Sequence, residues 1–179
     1  MTDAELARDA MNGCVRAFSR LAERHTPAAL RYATRMLGNR EDAEESVQEA
    51  LLRAYRALAT YDERVQFRTW LFAILVNRCR TAYAARRRRE RVVCDDPAAT
   101  DAASVPGDAE GVALRVELMR AVDRLGAEQR EAFLLKHVEQ LEYTEMADIT
   151  GASISALKMR VQRACRQLQL DLREYDDAR

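Results

Sequence analysis

The sequence predicts an all-α fold in which two small helical domains are joined by a flexible linker. Six glycines and three prolines are few for a chain of 179 residues, so turns and hairpins should be scarce. Apolar residues recur at helical spacing, and no convincing alternating strand interrupts them. Segment 92–112 differs, because it combines two prolines, two glycines and five acidic residues with no basic or aromatic residue. This composition is typical of a linker, and we therefore expect domains at 1–91 and 113–179.

Local end signals mark the first two helices of the first domain. Thr2 and Glu5 have the spacing of a capping box, ahead of a helix that should carry Phe18 and Leu21. Pro27, preceded by a threonine, predicts the start of the next helix, because proline is favoured at the first helical position.

Two further helices complete the first domain. Gly38 should end the helix that contains Pro27, and Asn39 should cap the third helix. The third helix has an apolar stripe at helical spacing: Val47, Leu51, Tyr55 and Leu58. The fourth follows a polar break and runs into an arginine-rich stretch. Its apolar positions are Phe67, Trp70, Leu71, Ile74 and Leu75.

The second domain should end in a helix-turn-helix. Its first helix should end at Gly126 and carry an apolar stripe at helical spacing: Leu114, Leu118, Val122 and Leu125. A helix around 133–135 follows, and then two helices at 143–150 and 154–168. Gly151 lies in the turn between these two, where glycine adopts a positive φ easily, and Ser153 or Ser155 is placed to cap the last helix. The predicted buried seam is Ile149, Ile154, Leu157 and Val161.

Net charge alone argues against a nucleic-acid partner, since 29 basic residues balance 29 acidic ones. The distribution changes this conclusion. Residues 1–91 hold 18 basic and 12 acidic side chains, whereas residues 113–179 hold 11 and 12. Within the first domain, residues 77–91 contain seven arginines and one glutamate. We therefore expect a phosphate-binding surface in that stretch.

Aromatic residues precede this basic stretch. Tyr61, Phe67 and Trp70 are of a type that stacks on unpaired bases, and the arginines that follow suit phosphates. The combination favours single-stranded DNA binding. The alternative is that Phe67 and Trp70 belong to the core, because they also lie at helical spacing.

The last predicted helix has basic residues at positions outside the predicted buried seam. It carries Lys158, Arg160, Arg163 and Arg166 and no acidic residue over 154–167. A basic helix after a tight turn is the arrangement with which helix-turn-helix proteins enter the major groove. The alternative is an ordinary helical hairpin with a solvated basic face.

Three segments resemble the motifs of one protein family. They are DAEESVQEALLRAYRAL (42–58), FRTWLFAILVNRCR (67–80) and LEYTEMADITGASISALKMRVQRA (141–164). In this order they are similar to RNA polymerase sigma factors of the extracytoplasmic-function (ECF) group of the sigma-70 family. That family has two helical domains, region 2 and region 4, and the resemblance covers 14–91 and 113–172. It implies an alternative-type sigma factor that directs bacterial RNA polymerase to promoters by recognising −35 and −10 elements.

The resemblance implies roles for three groups of residues. The first group matches the surface that binds the coiled coil of the largest subunit of core RNA polymerase: Asp42, Glu45, Gln48, Glu49, Leu52, Arg53 and Arg56. The second group matches the part that melts and reads the −10 element: Tyr61, Phe67, Trp70, Asn77, Arg78 and Arg80. The third group matches the helix that reads the −35 element: Ser153, Ser155, Ala156, Lys158, Met159, Arg160, Gln162 and Arg163. Ala156 and Met159 stand where the family usually has Thr and Ser, so the −35 sequence should differ from the common pattern.

The sequence gives no support for catalysis, a metal or a cofactor. Its four cysteines form no CxxC pair, and no phosphate-binding or nucleophile motif occurs, so we expect no enzyme, no cofactor and no metal site. The N-terminus lacks signal-peptide features and no apolar run has the length of a bilayer. We therefore expect a cytoplasmic protein without membrane insertion. The resemblance further implies control by an anti-sigma factor.

The sequence is compatible with two other functions. One is a conventional helix-turn-helix regulator whose N-terminal helices serve dimerisation or sensing, and which would bind duplex operators without polymerase. The other is an adaptor that binds only protein, which would leave the basic C-terminal helix without a role.

Overall fold

The computed structural model describes the backbone of residues 1–92 and 109–177 and the side chains of 1–89 and 116–173. These residues form eight α-helices and no strand, so the all-α prediction is confirmed. The N-terminal unit consists of α1 (Asp3–Met11), α2 (Val15–Leu37), α3 (Arg40–Arg56) and α4 (Phe67–Val92). The C-terminal unit consists of α5 (Ala109–Arg124), α6 (Ala127–Phe133), α7 (Tyr143–Thr150) and α8 (Ile154–Asp177). Leu58–Thr60 form a 3-10 turn and Leu134–Val138 a π-helical turn.

The predicted linker overlaps only partly with the described residues. Residues 93–108 lie outside them, and the linker over that range stays a prediction. The helix α5 begins at Ala109, within the range predicted for the linker.

Three of the predicted helix ends in the N-terminal unit are present. The Thr2 hydroxyl accepts a hydrogen bond from the Glu5 amide, and the Glu5 carboxylate accepts one from the Thr2 amide, which is the predicted capping box. Gly38 ends α2 with a φ of 75°. The Asn39 side chain accepts a hydrogen bond from the Asp42 amide at 2.7 Å and thereby caps α3.

The predicted start of a helix at Pro27 is wrong. The helix α2 runs without a break through Pro27, although an internal proline costs about 3 kcal/mol. Buried side chains on both sides of it, Leu21 and Tyr32 among them, keep the two halves in one helix. Phe18 and Leu21 accordingly belong to α2, because the chain turns after α1 at Gly13, which has a φ of 91°.

The helix-turn-helix is present in the C-terminal unit. Gly151 has a φ of 72° and its amide donates to the Ala147 carbonyl at 2.9 Å. The Ser153 hydroxyl accepts from the Ala156 amide at 3.2 Å, so Ser153 caps α8. Leu157 is buried in the predicted seam. Ile154 was wrongly placed there, because as the first residue of α8 it points out to solvent and is 38% exposed.

The two units pack against each other. The helix α4 lies along α7, and α2 contacts the π-helical turn and α6. Side chains from both units join one buried cluster, which includes Tyr32, Phe72, Val76, Leu135, Leu141 and Met146. A second cluster belongs to the N-terminal unit alone and packs α1 against α2, α3 and the first turn of α4. The N-terminal turns of α4 are therefore flanked by α1 on one side and by α7 on the other.

Candidate nucleic-acid and protein interfaces

The helix α3 presents a continuous polar face with an apolar centre. Glu45, Gln48, Leu52, Arg53 and Arg56 are exposed, and Asp42 and Glu49 are half-buried. Leu52 is 48% exposed, and Tyr55 beside it is 45% exposed. Arg53 and Glu49 form an ion pair one turn apart, at 2.7 Å. Leu52 and Tyr55 together form an exposed apolar centre that charged side chains surround.

An ion pair joins this face to α4. The Arg78 guanidinium lies 2.5 Å from the Glu49 carboxylate, and its side chain is largely buried. The Arg78 Nε is buried and has no hydrogen-bond partner among the described residues. Arg78 therefore holds α3 against α4 and does not project into solvent as a free cation.

The three predicted stacking aromatics form one cluster. The ring centroids of Tyr61 and Trp70 lie 5.1 Å apart, and those of Phe67 and Trp70 5.7 Å apart. Tyr61 and Phe67 are buried, and the Tyr61 hydroxyl donates to the Val65 carbonyl at 2.6 Å. Burial raises the pKa of Tyr61. Trp70 is half-buried, so its ring is the accessible member of the cluster.

Asn77 and Arg80 are neighbours on α4, and Arg80 contacts the C-terminal unit. Asn77 is exposed. Arg80 makes a two-pronged ion pair with Glu131 of α6, with both nitrogen–oxygen distances at 2.7 Å. Its guanidinium also approaches the Thr150 carbonyl at 3.4 Å. These bonds to the Glu131 carboxylate raise the pKa of Arg80. Arg80 is therefore charged and engaged by the C-terminal unit.

The first turns of α8 present a free basic face. Ser153, Ser155, Lys158, Met159, Gln162 and Arg163 are all exposed, and Ala156 is half-buried. Lys158 lies over the ring of Tyr143, 5.7 Å from its centroid. Arg160 differs from the others, because it pairs with Glu128 of α6 at 2.9 Å and is half-buried. The face that a groove can reach therefore centres on Lys158, Met159, Gln162 and Arg163.

Five charged residues at the contact between the units were not identified from the sequence. They are Arg31, Arg68, Arg130, Glu131 and Glu139. Glu139 accepts hydrogen bonds from Arg31 at 2.8 and 3.0 Å and from Arg68 at 3.1 Å. The partners lie 108 and 71 positions apart in the chain, and no local pattern links residues so distant.

Neither a membrane span nor a metal cluster is found in the part of the chain that the structure describes. No helix there is long and apolar enough to cross a bilayer. No group of three or more potential metal ligands occurs there either.

Comparisons with known proteins agree with this architecture. Residues 21–89 match the family model for Sigma-70 region 2, and residues 115–168 match that for Sigma-70 region 4. The sigma factor CnrH of Cupriavidus metallidurans is 35% identical over 172 residues, which span 90% of both chains. The chain belongs to the sigma-70 family. Hereafter region 2 denotes residues 21–89 and region 4 residues 115–168.

Further relatives place the chain within the family. The ECF RNA polymerase sigma factor SigG of Mycobacterium tuberculosis is 35% identical over 85% of this chain, which spans 48% of the length of SigG. This chain therefore spans about half the length of SigG and nine-tenths of the length of CnrH. These similarities support an ECF member of the sigma-70 family.

Two solved structures share the fold along most of the chain. CnrH in complex with the cytosolic domain of CnrY has a TM-score of 0.71, with 29% identity over 96% of this chain and 97% of that one. The sigma factor RpoE of Bartonella quintana, in complex with the anti-sigma factor NepR, has a TM-score of 0.70, with 27% identity over 89% and 98%.

Proposed function

We propose that this chain is an alternative sigma factor that directs bacterial RNA polymerase to promoters by recognising −35 and −10 elements. The observation that carries the proposal is the match of both regions at 21–89 and 115–168, each with an exposed face at the residues that resemble the family motifs. Initiation needs no catalytic group in the sigma factor, because the polymerase supplies the chemistry. We accordingly assign no cofactor and no enzyme activity.

The exposed face of α3 is the proposed contact with core polymerase. Its exposed leucine and the surrounding charges suit the coiled coil of the largest subunit, which the family resemblance implies as partner. Leu52 would contribute apolar area at the centre, and Gln48 and Arg56 would contribute polar contacts at the rim.

Region 2 and region 4 are the proposed readers of the two promoter elements. In region 2, Asn77 and the half-buried Trp70 are accessible for the bases of the −10 element, whereas the buried Phe67 packs against Trp70. In region 4, α8 would enter the −35 major groove with Lys158 and Arg163, in the usual docking of a helix-turn-helix.

An anti-sigma factor and a cytoplasmic location complete the proposal. RpoE was solved with an anti-sigma factor and CnrH with the cytosolic domain of CnrY, and this chain shares the fold of both along most of its length. Promoters and polymerase are in the cytoplasm, so a promoter-binding subunit would act there.

In vitro transcription tests the proposal directly. Purified chain is combined with core polymerase and a library of promoter fragments, and the initiated transcripts are sequenced. We expect initiation at a subset of fragments that share a −35 and a −10 motif. A chain that binds duplex operators but never joins core polymerase would instead be a conventional regulator.

Replacing Asn77 with alanine should weaken open-complex formation while core binding is retained. Asn77 is exposed on α4, and its loss removes a base contact without removing buried area. We expect a cost of about 1–3 kcal/mol in promoter opening, measured by permanganate footprinting on a promoter from the library. Asn12→Ala, at an exposed asparagine after α1, is the control and should open promoters normally. An equal loss of core binding in Asn77→Ala would contradict the assigned role.

Replacing Arg163 with alanine should reduce selection of the −35 element by about 1–3 kcal/mol. Arg163 is exposed on the free face of α8 and can form two hydrogen bonds with a guanine. Competition between promoters that differ only at −35 measures the effect. Arg173→Ala, at an exposed arginine of the same helix, should leave the preference unchanged. An unaltered preference in Arg163→Ala would remove it from the proposed −35 site.

A further inference from the structure

The face of α8 that is proposed to enter the major groove carries a large apolar side chain among polar ones. Met159 is 51% exposed, whereas Met36 and Met146 are buried in the core. Ser155 lies one helical turn before Met159 and Arg163 one turn after it, and both are exposed. Its position at the centre of this stripe decides what Met159 would touch when α8 is bound to DNA.

Two buried neighbours fix the direction in which Met159 points. Leu157 and Val161 lie two residues before it and two residues after it, and both are buried. Two residues correspond to about 200° around a helix, so Met159 points away from the core of region 4. Ile154, which is 38% exposed at the start of α8, lies five residues before Met159 and about 140° around the helix. Met159 and Ile154 therefore lie on different sides of α8.

The charge around Met159 suits a polyanion as the partner of this face. Lys158 and Arg163 are exposed beside it, and no acidic residue occurs over 154–167. Leu170 is 50% exposed on the same helix, but eleven residues separate it from Met159 by about 16 Å, so the two form no common apolar patch. The phosphates that border a DNA groove would meet the two cations. The Met159 side chain would then face the edges of the bases.

The major groove offers an apolar group to such a side chain only at thymine. Every base edge presents hydrogen-bond donors or acceptors there, and thymine adds its C5 methyl group. The Met159 thioether has no donor and is a weak acceptor, so at another base it would displace water without replacing the hydrogen bonds of that water. Its flexible, unbranched side chain can pack closely against a methyl group. Thymine is therefore the base that Met159 fits.

Arg163 gives the position of this thymine relative to a second base. It lies four residues after Met159 on the same face, which is about 6 Å along the helix axis. Successive base pairs are about 3.4 Å apart, so the two side chains reach base pairs about one to two steps apart. An arginine in the major groove most often binds guanine, through two hydrogen bonds.

We propose that Met159 selects a thymine in the −35 element by contact with its C5 methyl group, about one to two base pairs from a guanine that Arg163 binds. The inference rests on the proposed function, which it deepens by naming the base and the chemical group that are read. Met159 is then a specificity-determining residue, and the phosphates provide affinity without sequence preference.

A selection from random duplexes tests the position of the thymine. The full chain is incubated with a library of duplexes at low salt, where phosphate contacts are strongest, and the bound duplexes are sequenced. Wild type should enrich a motif that contains a thymine. Met159→Ala should lose the preference at that position, and Arg163→Ala should lose a guanine about one to two base pairs away. The absence of an enriched thymine, or a motif that Met159→Ala leaves unchanged, would overturn the proposal.

Deoxyuridine tests the methyl group itself, because it keeps the hydrogen-bonding groups of thymine and lacks only the methyl. Replacing the selected thymine by deoxyuridine should lower the affinity of wild type about fourfold, the factor for one buried group of this size. Fluorescence anisotropy with the two labelled duplexes measures the difference. Met159→Ala should bind both duplexes equally. Equal binding of both duplexes by wild type would show that the methyl group is not read.

Leu170→Ala is the matched control variant. It removes an apolar side chain of nearly equal exposure from the same helix, at a point beyond the N-terminal turns that contact bases. It should keep the difference between thymine and deoxyuridine. If Leu170→Ala loses the difference as Met159→Ala does, the effect does not come from a contact of Met159, and the proposal is wrong.

The duplex measurements and the transcription assay can fail separately. The duplex measurements use no polymerase, whereas the proposed function is tested by initiation with core polymerase. Initiation at promoters by a chain that binds thymine and deoxyuridine equally would refute the inference alone. Methyl-dependent binding by a chain that initiates at no promoter would refute the proposed function alone.

Discussion

Leu52→Asp is expected to weaken the binding of this chain to core polymerase strongly while leaving its fold intact. Leu52 is 48% exposed at the centre of the charged face of α3, so its replacement removes little buried area from the folded chain. In the proposed complex the aspartate would be buried at the centre of the contact, away from water. Truncation of such central residues costs about 2 kcal/mol or more, and a buried unpaired charge adds to that cost. We expect affinity to fall by at least about 30-fold, measured by biolayer interferometry on immobilised core enzyme.

Leu170→Asp provides a matched control for this experiment. Leu170 is 50% exposed on α8, so the two substitutions change the same residue type at nearly the same exposure. Leu170→Asp should bind core polymerase as wild type does, and both variants should melt within a few degrees of it. If Leu52→Asp binds normally, the polymerase contact lies elsewhere than on the α3 face.

Local sequence signals predicted the fold where one short-range interaction decides the structure. Asn39 caps α3 because its side chain bonds to an amide three residues ahead. Gly151 forms the turn of the helix-turn-helix because the required φ of 72° is strained for other residues. Pro27 gave the wrong boundary for the opposite reason. Its local preference for a helix start was outweighed by side chains that pack on both sides of it along α2.

The candidate sites were predictable only in part. A sequence motif indicates which residues share one side of a helix, but not whether other side chains cover that side. Phe67 is an example. Its spacing from Trp70 fits both a stacking residue and a core residue, and the structure buries it beneath Tyr61 and Trp70. The residues of α3 and α8 were easier to identify, because both helices resemble family motifs and most of the residues concerned are polar, which favours the surface.

The contact between the regions could not be predicted from the sequence. Arg80 and Glu131 are 51 residues apart, and each is an ordinary surface residue by composition. Their pairing depends on the placement of α4 beside α6 and α7, which is set by the shared apolar cluster. Segment 92–112 separates the two regions in sequence, and its composition predicts independent domains.

Arg130→Ala is expected to destabilise the folded chain more than the loss of any exposed charge. Arg130 is 3% exposed, and its guanidinium donates to the carbonyls of Val122, Asp123 and Met36. It thereby satisfies acceptors at the end of α5 and joins region 4 to α2 of region 2. Burial lowers the pKa of Arg130, and the nearby Asp123 only partly offsets this. Alanine removes a donor from all three carbonyls, of which Val122 keeps the Leu125 amide. We expect a loss of about 3–5 kcal/mol in the free energy of unfolding, measured by urea denaturation.

Two further variants separate hydrogen bonding from packing and from charge. Arg130→Met restores most of the volume but none of the donors, so it should recover less than half of the loss if the carbonyl bonds dominate. Arg40→Ala removes an arginine whose side chain is 83% exposed and pairs with Glu44, which is 52% exposed. Exposed pairs contribute about 0–1 kcal/mol, so this variant should unfold near wild type. Equal losses in Arg40→Ala and Arg130→Ala would mean that the loss of a positive charge, not of the buried carbonyl bonds, causes the destabilisation.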